Sequence, residues 1–535
     1  MPKPVTILKG TVLLTGAGII VKLLGAAYRI PLARLIGAEG IGLYQMAYPI
    51  YLIFLALSNG GIPIAISRII AVERARGHHA GIRRIFRAAF FLMACLGLLS
   101  AGGMILAARW LAQNVVADPR AIYPMWALAP AILMMSLMSA FRGYFQGWQD
   151  MGPSAVSQIV EQFVRVAVAL ILATLFLKLG IEHASAGAAF GATAGGTAGL
   201  VYLGIIYWRN RRRRPPPQET EKAPPYAVVI ARLIKFAVPI SLAVILMPLL
   251  QTFDSIIVPN RLQGIGYTMR QATALLGILG NSWAILYLPM IVTTAMASNL
   301  VPAMAGLKAR LKTNQAREEL HAKIGDGFRL ALIYLVPVAV LMHLQGGSIY
   351  RIVYSSGGIE ILSWFAPAAL FLGIQGVSAG ILQGLGRPHL PLVNFCFGAV
   401  CKVAVTYLAT GWPGLNLAGA ALGTVCGAAV TALLNYAAIK RLVPLTLPAK
   451  GAVWLAGAGM YLGCFYLKRA LTMPYFWEFV MVCGAGLLGY LGLLALLGGI
   501  TSRDREVIAK VITRRRHSDG NRAHQKTGRK SGAIG

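Results

Sequence analysis

Apolar runs of about 20 residues, long enough to cross roughly 30 Å of hydrocarbon as a helix, recur along the whole chain. They fall at 9–30, 41–66, 85–108, 121–145, 155–178, 184–208, 229–258, 273–300, 328–346, 360–384, 390–410, 415–438, 450–468 and 475–499. This pattern predicts fourteen transmembrane helices joined by short polar connections, an all-α polytopic membrane protein. The first run has the outline of a cleaved leader, with Lys9 ahead of an apolar stretch ending in Gly25, Ala26 and Ala27. Lys22 interrupts that stretch, so it reads as a retained helix.

An internal repeat groups the helices. Gly143-Tyr144-Phe145-Gln146-Gly147 matches Gly380-Ile381-Leu382-Gln383-Gly384, and at the same offset Arg165-Val166-Ala167-Val168 matches Lys402-Val403-Ala404-Val405. Ala186-Gly187-Ala188-Ala189 matches Ala418-Gly419-Ala420-Ala421, and Arg34-Leu35 and Arg261-Leu262 close the first helix of each half. The repeated unit is six helices. An even number returns the chain to its starting side, so the two lobes share one orientation, related by a pseudo-two-fold axis along the membrane normal. The expected organisation is a first lobe over 1–214, a Pro-rich inner linker at 215–225, a second lobe over 226–447, two further helices over 448–500 and a disordered basic tail over 501–535.

Composition sharpens this picture. Hydrophobic residues make up 57% of the 535 and charged residues only 13%, which excludes an ordinary soluble domain and a disordered chain. The 50 Lys and Arg against 17 Asp and Glu give a net charge of +33, a value that suggests nucleic acid when met on a water-facing surface. Here most of the cations fall in alternate connections, which places the N- and C-termini and those connections on the cytoplasmic side of the membrane. No nucleic-acid partner is expected. Three cations, Lys22, Arg165 and Lys402, are left within helices, and these carry the most information.

An ionisable group inside the bilayer costs about 2.5–3.5 kcal/mol on insertion scales, so it faces a partner or a wet cavity. Gly18, Lys22, Gly25 and Arg29 share one face of the first helix, where glycines leave room for a large anion. Ser154, Gln158, Glu161 and Arg165 repeat that spacing, and Glu161 four residues before Arg165 is the favourable order for an intrahelical pair. That pair reads equally as a self-neutralised structural element and as part of a cavity. Asp254 follows Gln251 by one turn on a helix containing Pro239 and Pro248, which suits ion coordination, a moving gate or a carboxylate near the outer water. Lys402 is the repeat counterpart of Arg165. The Tyr44, Tyr48 and Tyr51 stripe reads as packing, and Leu320, Ile324 and Phe328 as an amphipathic helix on the inner membrane surface.

Six cysteines inside apolar runs, with no CxxC, read as free thiols, and no Walker A, GxSxG or HExxH motif appears. The chain is therefore not expected to be an enzyme or to need a cofactor.

The run Tyr28-Arg29-Ile30-Pro31-Leu32-Ala33-Arg34-Leu35-Ile36-Gly37-Ala38-Glu39-Gly40-Ile41-Gly42-Leu43-Tyr44-Gln45, with Lys9-Gly10-Thr11, Lys22-Leu23-Leu24-Gly25 and Gly60-Gly61-Ile62-Pro63 around it, resembles stage V sporulation protein B and related polysaccharide-biosynthesis proteins. These belong to the multidrug/oligosaccharidyl-lipid/polysaccharide exporter superfamily, which includes lipid II flippases. The resemblance implies a monomer working by alternating access on a lipid-linked oligosaccharide, with membrane lipids as its other partners. Lys22 and Arg29 match the family's cation positions for the pyrophosphate, while Glu161, Arg165 and Lys402 are expected as further substrate contacts on the ground of their own placement within the membrane, Lys402 facing the cavity. Asp254 and Asn394 stand where the family's ion-coupling groups lie, although Gly398 replaces a second acid. A cation-coupled multidrug antiporter and a non-transporting scaffold for envelope assembly are the competing readings.

Overall fold

The computed structural model describes residues 4–211, 225–309, 314–355, 360–443 and 451–499. The expected basic tail and, apart from Pro225, the expected linker lie outside them. The described chain is helical, with no strand. Its α-helices are α1 (Pro4–Ala27), α2 (Arg29–Asn59), α3 (Ile62–Ala75), α4 (His79–Trp110), α5 (Ile122–Gly147), α6 (Met151–Phe176), α7 (Ile181–Arg211) and α8 (Tyr226–Gly264). There follow α9 (Met269–Lys308), α10 (Asn314–Tyr354), α11 (Ile361–Gly384), α12 (His389–Thr410), α13 (Leu417–Leu442), α14 (Ala452–Ala470) and α15 (Tyr475–Leu496).

Among the described residues, eleven helical stretches are long and apolar enough to cross a membrane, the first combining α1, α2 and α3. Two of the expected spans, on α8 and α14, are not among them. Large apolar side chains such as Phe91, Leu106, Val400 and Leu488 are exposed around the bundle, as lipid-facing positions require. The chain is a multi-pass membrane protein.

The first expected helix does not run to residue 30. Pro31 has no N–H to offer Ala27, so the chain turns at Tyr28 and α2 starts at Arg29. Gly37, at φ 66° and ψ −176°, breaks α2 a second time in a conformation that a Cβ would strain. By contrast α8 runs from Tyr226 to Gly264 through Pro239, Pro248 and Pro259. Where turns are sharp, side chains close the helix ends: Thr268 and Gln271 form a reciprocal capping box on α9, and the Asn416 side chain accepts from Leu417 N–H on α13.

At the centre, α2 lies against α9 through a reciprocal pair of glycines. A methyl group on Gly42 would stand 2.8 Å from the carbonyl carbon of Thr273, and one on Gly277 would stand 2.8 Å from the Gly42 nitrogen and against the Ala38 carbonyl. Glycines also seat α7 on α6 and α13 on α12. A methyl on Gly195 would meet Cβ of Arg165 at 2.9 Å, and one on Gly427 would meet Cβ of Lys402 at 2.6 Å. Small residues thus bring these backbones into contact where lipid offers no hydrophobic drive for association.

The helices α14 and α15 pack on α10, with Tyr490 Oη donating to Ile333 O at 3.1 Å and Gly457 facing Val336. The expected surface helix around Leu320, Ile324 and Phe328 is corrected. These residues begin the 41-residue α10, and all three are buried in the main core, Phe328 against the Tyr436 ring. Their apolar stripe faces helices rather than the membrane surface.

Candidate functional site

The bundle has two ends, marked here by Asp118 and by Arg74. At the Asp118 end the two halves of the chain are tied together by polar groups. A π-helical turn at Leu111–Val115 and a positive φ of 57° at Ala117 bring the α4–α5 connection over the start of α9. There the fully buried Asp118 accepts from Thr273 Oγ1 at 2.7 Å and from Arg120 Nη2 at 2.8 Å, and Arg120 reaches Glu39 of α2 at 2.5 Å. Arg34 donates to the carbonyls of Ile352 and Val353 at 2.8 and 2.9 Å, and Asn260 donates to Val115 O at 3.0 Å. Together with the Gly42–Gly277 contact, these bonds close this end.

Beneath the closure lies a cavity of about 260 Å³ between α2, α8, α9, α11, α12 and α13. Two cations line it. Arg29, at the start of α2, donates to Gly280 O at 3.4 Å and lies within electrostatic range of Tyr287 and Tyr354. Lys402 of α12 donates to Asp254 of α8 at 2.6 Å, and its ammonium stands 5.2 Å from the centre of the Trp283 ring. Gln45, Tyr48, Gln251, Ser255, Tyr287, Gln375, Thr424 and Thr431 add uncharged polar groups to the lining. Two cations face one carboxylate, so the cavity suits an anion. A desolvated anion gains from preplaced cations far more than it would in water.

A second charged cluster lies beside Tyr48. Glu161 of α6 accepts from Arg165 Nη2 at 2.8 Å and from Arg142 Nη2 of α5 at 2.9 Å, while Arg142 Nε also bonds Ser157 Oγ at 3.1 Å. The guanidinium of Arg165 is within electrostatic range of the hydroxyls of Tyr44, Tyr48 and Tyr51, whose rings form a row, Tyr44 stacked on Tyr48 at 5.2 Å and Tyr48 tilted against Tyr51 at 5.6 Å between centroids. The tyrosine stripe is therefore packing along most of its length, but Tyr48 also lines the cavity.

Of the residues singled out in the sequence, Arg29, Asp254 and Lys402 share the cavity, and Glu161 and Arg165 share the neighbouring cluster. Lys22 joins neither. Tyr28, itself in a helical conformation (φ −68°, ψ −22°), links α1 to α2, and the Lys22 side chain is exposed on α1, three residues before the point where Gly25 meets Gln162 of α6. Asn394 also stands apart, donating to Asn435 Oδ1 at 2.9 Å, while Asn435 donates to Ser378. Arg142 escaped the sequence reading because it sits near the end of an apolar run and counts there with the connection. Close packing of Gly143 and Gly147 on α3 keeps that end of α5 inside the bundle. Trp283 carried no signal beyond its aromaticity.

The profile of the polysaccharide biosynthesis protein family matches residues 7–308. Stage V sporulation protein B of Bacillus subtilis (strain 168) is 30% identical over 447 residues, 83% of this chain and 86% of that protein. The lipid II flippase MurJ of the same organism is 28% identical over 75% of this chain and 76% of its own. Among solved structures, a lipid II flippase MurJ in an inward closed conformation aligns with a TM-score of 0.67 at 14% identity, covering 93% of this chain and 100% of that one. An inward-facing multidrug resistance MATE family transporter of the MOP superfamily aligns with a TM-score of 0.63 at 16% identity, covering 79% of this chain and 98% of its own. At these identities the structural likeness is one of fold. These neighbours are named as flippases and transporters rather than as enzymes. The chain belongs to the polysaccharide biosynthesis protein family and is a multi-pass membrane protein with the fold of the MOP-superfamily transporters.

Proposed function

We propose that the protein is a flippase that moves an undecaprenyl-pyrophosphate-linked cell-wall or polysaccharide precursor across the bacterial cytoplasmic membrane by alternating access. The observation that carries this reading is the cavity, where Arg29 and Lys402 face a single carboxylate beneath a closed end. Two cations on helices from different halves of the chain can hold the oxygens of a diphosphate and release them when the halves part. An antiporter of organic cations would need an acidic cavity. The relatives named above, one of them a lipid II flippase, support the same substrate class.

The rest of the proposed arrangement follows. Fourteen spans, including α8 and α14, form lobes over 1–214 and 226–447, joined through the linker 215–225 and followed by the helices of 448–500 and the tail of 501–535. The reciprocal contacts of Gly42 and Gly277, and the parallel seating of Arg165 against Gly195 and Lys402 against Gly427, support a two-fold relation between the lobes. The arginines of α3 and of the first turns of α4 (Arg83, Arg84 and Arg87) gather at the Arg74 end, which supports a cytoplasmic position for that end and for both termini. The closed Asp118 end then faces outward. Lys22 is assigned to the same diphosphate, met from α1 in another state of the cycle. Asp254 and Asn394 are assigned to ion coupling: when the substrate draws Lys402 away, the freed carboxylate takes a proton or a metal cation, with Asn394 about two turns along the helix of Lys402.

Complementation tests this reading. The gene should restore growth to a bacterial strain depleted of its lipid II flippase, or surface polysaccharide to one lacking its exporter. Failure in both, with the protein present in the membrane, would refute it.

A further inference from the structure

We propose that the Arg142–Glu161–Arg165 cluster is a second anion subsite, one that takes a carboxylate on the head group of the transported lipid. The proposal rests on the flippase reading for the identity of the cargo, and on the cluster's own geometry for the chemistry it recognises.

The cluster carries two guanidinium groups and one carboxylate, a net charge of +1 held at side-chain exposures of only 10–16%. A structural pair alone would need one arginine, as an intrahelical Glu161–Arg165 bridge would satisfy. Arg142 comes from a different helix and makes the site positive. Excess charge at such depth is costly unless an anion visits.

Donors are also left unspent. Arg165 Nε is buried without a hydrogen-bond partner, and so is the hydroxyl of Tyr51, whose residue is 1% exposed and whose oxygen lies within electrostatic range of both Arg165 and Glu161. A buried N–H and a buried O–H with nothing to bond are expensive, and both can donate to one incoming oxygen pair. Guanidinium donors match the planar geometry of a carboxylate, and Glu161 at 2.8 and 2.9 Å shows that these arginines hold that group at normal distances. A monoanion brings the cluster to neutrality, whereas a dianionic phosphate monoester would leave it negative.

Tyr48 joins the two places. It lines the cavity of Arg29 and Lys402 and lies within electrostatic range of Arg165, so a head group with its diphosphate in the cavity has Tyr48 between it and the second subsite. The substrate class is thereby narrowed to lipid-linked saccharides bearing an acidic group, such as a uronic acid or an acidic acyl or peptidyl substituent.

The test compares two synthetic polyprenyl-diphosphate disaccharides, one carrying a free carboxylate and the other its methyl ester. Each is measured for binding to the purified full chain in detergent and for translocation in proteoliposomes. The wild-type protein should bind the acid at least about tenfold more tightly than the ester. Arg165→Gln should abolish that preference by weakening acid binding at least about tenfold relative to the ester, Arg165→Lys should keep part of it, and Glu161→Gln, which removes the internal competitor, should strengthen acid binding severalfold. Equal wild-type affinity for the two probes would overturn the proposal, as would a loss of both probes to the same extent in Arg165→Gln and Glu161→Gln. Binding preference without translocation of either probe would instead count against the flippase reading while supporting the subsite.

Discussion

The contact between α2 and α9 gives the sharpest quantitative prediction. Replacing Gly277 with Ala adds a methyl group 2.8 Å from the Gly42 nitrogen and against the Ala38 carbonyl, all of it backbone that cannot rotate away. Restoring ordinary van der Waals contact with the Ala38 carbonyl oxygen needs the helices to separate by more than an ångström. Overpacking of this kind costs about 1–3 kcal/mol. On the proposed alternating-access cycle α2 and α9 part when the Asp118 end opens, so the cost falls only on the state in which that end is closed. The closed-to-open ratio should therefore drop about 5- to 150-fold. In a background without the native cysteines, single cysteines at Gln45 and Ser282 report on access from the Asp118 side through their rate of modification by a charged, membrane-impermeant maleimide. Gly277→Ala should raise that rate, and Gly42→Ala should do the same by the reciprocal contact. Unchanged labelling in both variants, with normal thermal stability, would refute the view that this contact is the closed gate.

Other expectations follow from the same coordinates. Lys402→Met leaves Asp254 buried and unpaired and should cost about 3–5 kcal/mol of stability, read as a lower unfolding temperature in detergent, while the double variant with Asp254→Asn should recover most of it. Thr273→Val removes the bond to Asp118 and should weaken the closure by about 1.5 kcal/mol or more, seen as increased maleimide access at the Asp118 end. Asp254→Asn alone should preserve substrate binding but remove any dependence of translocation rate on an imposed ion gradient; a dependence that survives the change would dismiss Asp254 as the coupling group.

Much of the architecture was legible because it follows from local rules. Apolar run length locates most of the helices, and the glycine-rich runs at 187–195 and 419–427 mark where α7 and α13 meet their neighbours. Positions set by packing were harder. Lys22 and Arg29 have the spacing of one helical face, but the neighbouring helices leave the first exposed on α1 and enclose the second in the cavity. The amphipathic stripe of Leu320, Ile324 and Phe328 has the same periodicity whether it meets lipid or protein, so only the tertiary packing decides. Pairings between distant segments, such as Asp254 with Lys402 or Arg142 with Glu161, are invisible in one sequence because nothing local fixes which helices become neighbours.

The central claim is that Arg29 and Lys402 hold a diphosphate during transport. It is tested most directly by following a fluorescent polyprenyl-diphosphate-linked saccharide in proteoliposomes, scoring the fraction reached by an added impermeant quencher over time. Wild-type protein should produce translocation well above that of empty vesicles. Arg29→Ala and Lys402→Ala combined with Asp254→Asn should each reduce it to the empty-vesicle level. Equal translocation with and without wild-type protein, or undiminished translocation in both variants, would contradict the account.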